Sequence, residues 1–143
     1  MSRNILFLCT GNSARSQMGE ALLRKLGADE FEVYSAGTEP KGVVFPPVVE
    51  AMREIGIDIA GAKPKGVGDF LGKVHFDKVI IVCDGAEKRC PSIFGAAQRL
   101  FWPFDDPAAA TGTPEDVLAV CRRVRDQIHD RITAWLEERN VSA

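Results

Sequence analysis

Apolar residues fall along this chain in two patterns: short unbroken runs, and stripes spaced three and four residues apart. Ile5-Leu6-Phe7-Leu8 is a run with no polar break, and residues 4 to 9 read as a strand buried on both faces, as in a parallel sheet. A helix opening near Ser13 to Arg15 carries Met18, Leu22, Leu23 and Leu26 on one side, with Gly27 as its stop. Phe31-Glu32-Val33-Tyr34-Ser35-Ala36 alternates as a second strand, ended by Gly37. Pro46-Pro47 fit the first turn of a helix that carries Val48, Val49, Met52 and Ile55 and ends at Gly56. Residues 57 to 68, rich in glycine and proline, read as a surface loop. A short helix over 67 to 74 would bury Val67, Phe70 and Leu71. Lys78-Val79-Ile80-Ile81-Val82-Cys83 is the second clear buried strand, residues 84 to 97 read as loop and short helix, and Arg99-Leu100-Phe101-Trp102 as a fourth strand. After the turn-rich Pro103-Phe104-Asp105-Asp106-Pro107, the longest helix runs from Pro114 to about Arg139 with Thr113 as its cap. Its stripe is Val117, Val120, Cys121, Val124, Ile128, Ile132 and Leu136.

Strands alternating with helices predict an α/β fold, a three-layer αβα arrangement around a four-stranded parallel sheet. In such sheets the site lies beyond the strand C-termini, where Cys9, Cys83 and the Asp105-Asp106 loop would all emerge. Without repeats or a linker, residues 1–143 read as one domain.

Composition narrows the function. The formal charge of -2 gives no nucleic-acid or membrane surface, so an anion site has to rely on local groups. No apolar run reaches spanning length and the N-terminus lacks the regions of a signal peptide; a cytoplasmic monomer is expected. In that setting Cys9, Cys83, Cys90 and Cys121 read as catalytic, redox or core thiols rather than as two disulfides. His75 and His129 have no metal-ligand spacing, and neither a metal nor a cofactor is expected.

The candidate chemistry centres on Cys9-Thr10-Gly11-Asn12-Ser13-Ala14-Arg15-Ser16, a cysteine leaving a buried strand through a tight loop into a helix. Such a loop turns main-chain N–H groups inward, and the helix N-terminus adds partial positive charge. Together they bind a tetrahedral oxyanion and lower the pKa of a thiol at the floor. Arg15 offers a planar fork for two anion oxygens, and Ser16 can hydrogen-bond the thiolate. The plainer reading is a core cysteine before an ordinary strand–helix turn. A nucleotide-binding loop fits worse, because the Gly-Lys-Ser/Thr ending is absent.

These residues resemble the signature loop of the low-molecular-weight protein tyrosine phosphatase fold, and the match extends to Tyr34-Ser35-Ala36-Gly37 and to a late Asp-Pro. Within that superfamily the chain resembles the thioredoxin-coupled arsenate reductases most. The residues concerned are Cys-Thr-Gly-Asn-Ser-x-Arg-Ser-Gln-Met at 9 to 18, Cys83 and Cys90 with Pro91, and Trp102-Pro103-Phe104-Asp105-Asp106-Pro107-Ala108. The resemblance implies that Cys9 attacks arsenate, Cys83 attacks the Cys9–arsenic adduct to release arsenite, and Cys90 attacks Cys83. A Cys83–Cys90 disulfide is then left for thioredoxin. It makes Asp106 the general acid, with Asp105 in a supporting place, and makes Thr10 to Ser16 the substrate-binding loop. By sequence alone Asp106 reads equally well as part of a turn, whereas Cys90, in a polar stretch beside Lys88 and Arg89, is a poor core residue.

Asn12, Ser35 and Glu20 match positions that brace the loop and in some members help bind potassium. Lys65 falls where an aspartate is expected, which implies activity independent of potassium. Ala14 takes a position that is cysteine in several relatives, and Cys121 reads as a core thiol. The alternative function is a tyrosine phosphatase using Cys9, Arg15 and Asp106 through a phosphocysteine. Phosphatases of this fold follow Asp-Pro with aromatic residues, and this chain has Ala108-Ala109-Ala110. A non-catalytic anion-binding module would require the three cysteines to be coincidental.

Overall fold

The computed structural model describes residues 3–27, 30–70, 72–82 and 98–142, with the main chain alone at 140–142. Leu71, the 84–97 segment, Cys83 and Cys90 lie outside the described residues. Four parallel strands form one sheet in the order β2-β1-β3-β4: β1 (Asn4–Cys9), β2 (Glu32–Gly37), β3 (Lys78–Ile81) and β4 (Gln98–Phe101). The central position of β1 explains its unbroken apolar run, since Ile5 to Cys9 are all buried. Each such buried side chain contributes about 1.5–3 kcal/mol.

Register sorts the side chains. Phe7 pairs with Ser35 and Ile80, and Leu6 with Tyr34 and Val79, so each set points to its own face. The Phe7 face receives α1 (Arg15–Gly27) and α3 (Pro114–Ser142), with α2 (Pro46–Arg53) packed against α3. The approach of α1 is close: a Cβ at Gly19 would stand 2.5 Å from the Phe7 ring. On α3, Cys121, Val124, Ile128 and Ile132 are fully buried, and the Trp135 ring packs against Phe31 and Trp102. On the opposite face the rings of Phe70 and Phe76 stand edge-on to Tyr34, both with centroids 5.4 Å away.

Local chemistry sets the helix ends. At α2, Pro46 and Pro47 lack the N–H groups that would otherwise need capping, and no side chain caps the helix. Instead Phe45 N–H donates to Ser13 O at 2.8 Å, tying the helix entry to the loop after β1. At α3, Thr113 Oγ1 accepts from Asp116 N–H and Asp116 Oδ2 accepts from Thr113 N–H, a reciprocal capping box.

Three expectations shift. Among the described residues of 67–74 the only helical element is a 3-10 turn at Val67–Asp69, with Gly68 inside it and Gly72 at φ +76°, a left-handed conformation unsuited to helical winding. Val67 and Phe70 are half-buried there. The fourth strand starts one residue early, at Gln98, whose Oε1 accepts from Lys78 Nζ at 2.7 Å across the β3–β4 pair. The last helix continues past Arg139 to Ser142.

Candidate active site

Cys9 ends β1 at the C-terminal edge of the sheet, 2% exposed. Its sulfur lies 3.2 Å from the Asn12 main-chain N–H and 2.8 Å from Ser16 Oγ. Asn12 adopts a left-handed φ of 49°, which turns the tight loop and brings its N–H back over the sulfur. Donors aimed at a sulfur beside a helix N-terminus favour its anion.

The loop's carbonyls are held on the outside. Cys9 O, Thr10 O and Gly11 O accept from the N–H groups of Thr38, Glu39 and Lys41 at 3.1, 2.8 and 2.9 Å. The segment after β2 can approach so closely because Gly37 has no side chain: a Cβ there would lie 2.4 Å from Thr10 O. Parallel pairing of Cys9 with Gly37 brings these two segments together.

Arg15, the first residue of α1, donates from Nη1 to Phe104 O at 3.1 Å, and its Nη2 is 3.5 Å from Asp106 Oδ2. Its Nε is buried without a hydrogen-bond partner. A buried donor in this state is what an incoming oxyanion satisfies. Asp106 is held by its other oxygen: Oδ1 accepts from Ala108 N–H at 3.0 Å and starts the 3-10 turn Pro107–Ala109.

Around the loop lies an outer ring of charge. The Ser35 hydroxyl donates to Glu20 Oε1, Arg24 Nη2 is 2.7 Å from Glu20 Oε2, and Lys65 Nζ is 3.4 Å from Glu20 Oε1. The Lys65 main-chain N–H also donates to Asn12 Oδ1 at 2.7 Å. Lys65 therefore touches both the loop and the buried carboxylate.

Together these elements enclose a cavity of about 480 Å³, lined by Cys9, Thr10, Gly11, Ser13, Ala14 and Arg15 with Asp106, Glu39 and Lys41. Sequence reading missed Glu39 and Lys41; their signal was their position just after a strand that pairs in parallel with β1. Asn12 and Ser16 are fully buried and outside the cavity lining; the Asn12 main-chain N–H and the Ser16 hydroxyl contact the Cys9 sulfur. Asp105 reaches away from the cavity to Arg123 at 3.2 Å, joining the loop to α3. Cys83 and Cys90 lie outside the described residues. Cys121 is in the core as expected, and burial pushes its thiol up. Among the described residues no group of three or more His, Cys, Asp or Glu could hold a metal ion, and no helix is long and apolar enough to cross a membrane.

Comparison with known proteins fits this geometry. The model of the low molecular weight phosphotyrosine protein phosphatase family matches residues 4–142. An arsenate reductase of Halalkalibacterium halodurans is 48% identical over 134 residues, 93% of this chain and 94% of that protein. An arsenate reductase solved in a phosphate-binding state superposes with a TM-score of 0.79 at 31% identity, covering 95% of this chain and 98% of the other. A thioredoxin-dependent arsenate reductase of Corynebacterium glutamicum gives a TM-score of 0.70 at 25% identity, over 99% of this chain and 64% of that one.

Proposed function

The chain belongs to the low-molecular-weight phosphotyrosine protein phosphatase family, and from that premise we propose that it reduces arsenate to arsenite with thioredoxin as the electron donor. The observation that carries the choice is the cavity wall: among the described residues, no aromatic side chain lines the cavity around Cys9. Ala108 and Ala109 follow Asp106-Pro107, where a phosphotyrosine ring would need a flat apolar partner. A small tetrahedral oxyanion needs none. The relative from H. halodurans and the neighbour in a phosphate-binding state support that substrate class, and the C. glutamicum neighbour supports the electron donor.

The proposed sequence begins with arsenate in the loop, its oxygens on the inward N–H groups and the Arg15 guanidinium. The Cys9 thiolate attacks arsenic, and Asp106 gives a proton to the departing oxygen, which leaves as water. Cys83 then attacks the Cys9 sulfur. The sulfur–arsenic bond breaks with its electron pair passing to arsenic, so As(V) becomes As(III), and arsenite departs from a Cys9–Cys83 disulfide. Cys90 attacks Cys83 and frees Cys9 as a thiolate, and a thioredoxin dithiol reduces the Cys83–Cys90 bond. The proposed setting is a cytoplasmic monomer.

The second reading, tyrosine phosphatase, shares the loop, Arg15 and Asp106, so weak hydrolysis of aryl phosphates is expected in either case. The test is a direct comparison of arsenite formation in the presence of thioredoxin and its reductase with aryl phosphate hydrolysis. Rapid hydrolysis without arsenite formation would reverse the assignment.

A further inference from the structure

Gln17 lies in the first turn of α1, 3% exposed and outside the cavity lining. Its Nε2 lies 3.1 Å from Lys63 O, 3.2 Å from Asn12 O and 3.0 Å from Asn12 Oδ1, so two protons are shared among three acceptors. Two of those acceptors are main-chain carbonyls, which only accept, so the nitrogen end of the Gln17 amide has to face them. The Asn12 amide is fixed by the same reasoning. The Lys65 main-chain N–H, which only donates, is 2.7 Å from Oδ1, and Gln17 supplies a second donor to that oxygen. Nδ2 is thereby turned to Ser16 Oγ at 2.8 Å. Having accepted from Asn12, the Ser16 hydroxyl has its own proton for the Cys9 sulfur, 2.8 Å away. An Asn12 amide turned over would instead take the Ser16 proton onto its own oxygen, and the sulfur would lose that donor.

We propose that Gln17 is a positioning residue: with the Lys65 main-chain N–H it holds the orientation of the Asn12 amide, and so aims the Ser16 hydroxyl proton at the Cys9 sulfur. The inference rests on Cys9 being the nucleophile of the proposed function, but not on arsenate being the substrate. Bonds in such a chain polarise one another, so a change at its far end is felt at the sulfur.

The experiment follows iodoacetamide alkylation of Cys9 against pH, by mass spectrometry of the Cys9 peptide. The proteins are wild type, Gln17→Met, Asn12→Gly and the double variant; glycine keeps the left-handed backbone open at residue 12. Losing a donor to the thiolate raises the midpoint, by about one unit for Gln17→Met. In the Asn12→Gly background the same substitution should add no shift. A folded Gln17→Met with the wild-type midpoint overturns the proposal, and so does an equal shift in both backgrounds. If Gln17→Met does not fold, Gln17→Leu, which is also neutral and lacks the donor, carries the same comparison with the same outcomes. A wild type that reduces no arsenate but shows the shift upholds the role of Gln17 and overturns only the substrate.

Discussion

Arg15 and Asp106 meet across the cavity, guanidinium Nη2 to carboxylate Oδ2 at 3.5 Å, with the arginine side chain 13% exposed and the aspartate 35%. The deeper partner has a buried Nε without a hydrogen-bond partner; the shallower one is braced by Ala108 N–H and stands more open to solvent. In the proposed reaction the two divide the work accordingly, one holding the anion and the other handling its leaving oxygen. Asp106→Asn keeps the shape and the Ala108 bond but cannot give up a proton, so single-turnover arsenite formation should slow by about 10²–10⁴-fold with arsenate affinity retained. Arg15→Lys keeps charge but loses the fork, and should lower kcat/KM by at least about 10². Equal losses of affinity in both variants would refute this division.

The relay makes a covalent prediction. In a single turnover with arsenate and no reductant, wild type should release one arsenite and carry a Cys83–Cys90 disulfide. Cys90→Ser should stop at Cys9–Cys83, read by mass mapping of disulfide-linked peptides. Arsenite release with no disulfide anywhere in wild type would rule the relay out.

Lys65 leads to a cation experiment. Its ammonium lies beside Glu20 and its main-chain N–H on Asn12, so positive charge is already supplied where the family resemblance implies a potassium site in some members. Arsenate reduction measured in potassium and in sodium at equal ionic strength should agree. Strong activation by potassium would show that the lysine does not fill that role.

Away from the site, Glu54 joins α2 to α3, taking Arg122 Nη2 at 2.6 Å and Arg125 Nη1 at 3.0 Å. Hydrogen bonding from Arg122, joined by Arg125 and opposed by desolvation, holds the Glu54 carboxyl below its ordinary 4.5. A carboxyl lowered by folding adds stability above its unfolded value, and that contribution is lost as pH falls through the folded value. Glu54→Gln should therefore unfold at lower urea than wild type at pH 7, and the gap should close well below pH 4.5. A gap that is constant with pH would assign the effect to packing.

The sequence made some of this legible and hid the rest for physical reasons. The Cys9–Ser16 loop could be read because its nucleophile, its arginine and the helix that follows are contiguous. The buried run of β1 was equally plain, since a central parallel strand tolerates no polar break. Asp106 is a different case: by residue type alone it reads equally as an acid or as part of a turn, and only the fold brings it within 3.5 Å of Arg15. Gln17 was visible within the motif, but its role depends on Lys63 O and on the Asn12 amide, which no local pattern reports. Arg125 on the last helix is 8% exposed, and Ala51 O and Glu54 Oε1 accept hydrogen bonds from its Nη1, partners that no local pattern reports. Val67 and Phe70 gave a helical spacing that Gly68 and Gly72 overrode.

Gly37 carries a consequence for anyone who would move this chemistry elsewhere. The curvature of the Cys9 loop is moulded against a residue on another strand, where a single methyl group would collide with Thr10 O at 2.4 Å and Asn12 N at 3.0 Å. Grafting residues 9 to 16 onto a foreign strand–helix junction would transfer the reactive groups without the mould. A successful transplant has to carry Gly37 and the parallel strand that presents it, so the smallest portable unit is a strand–helix–strand, and not a loop.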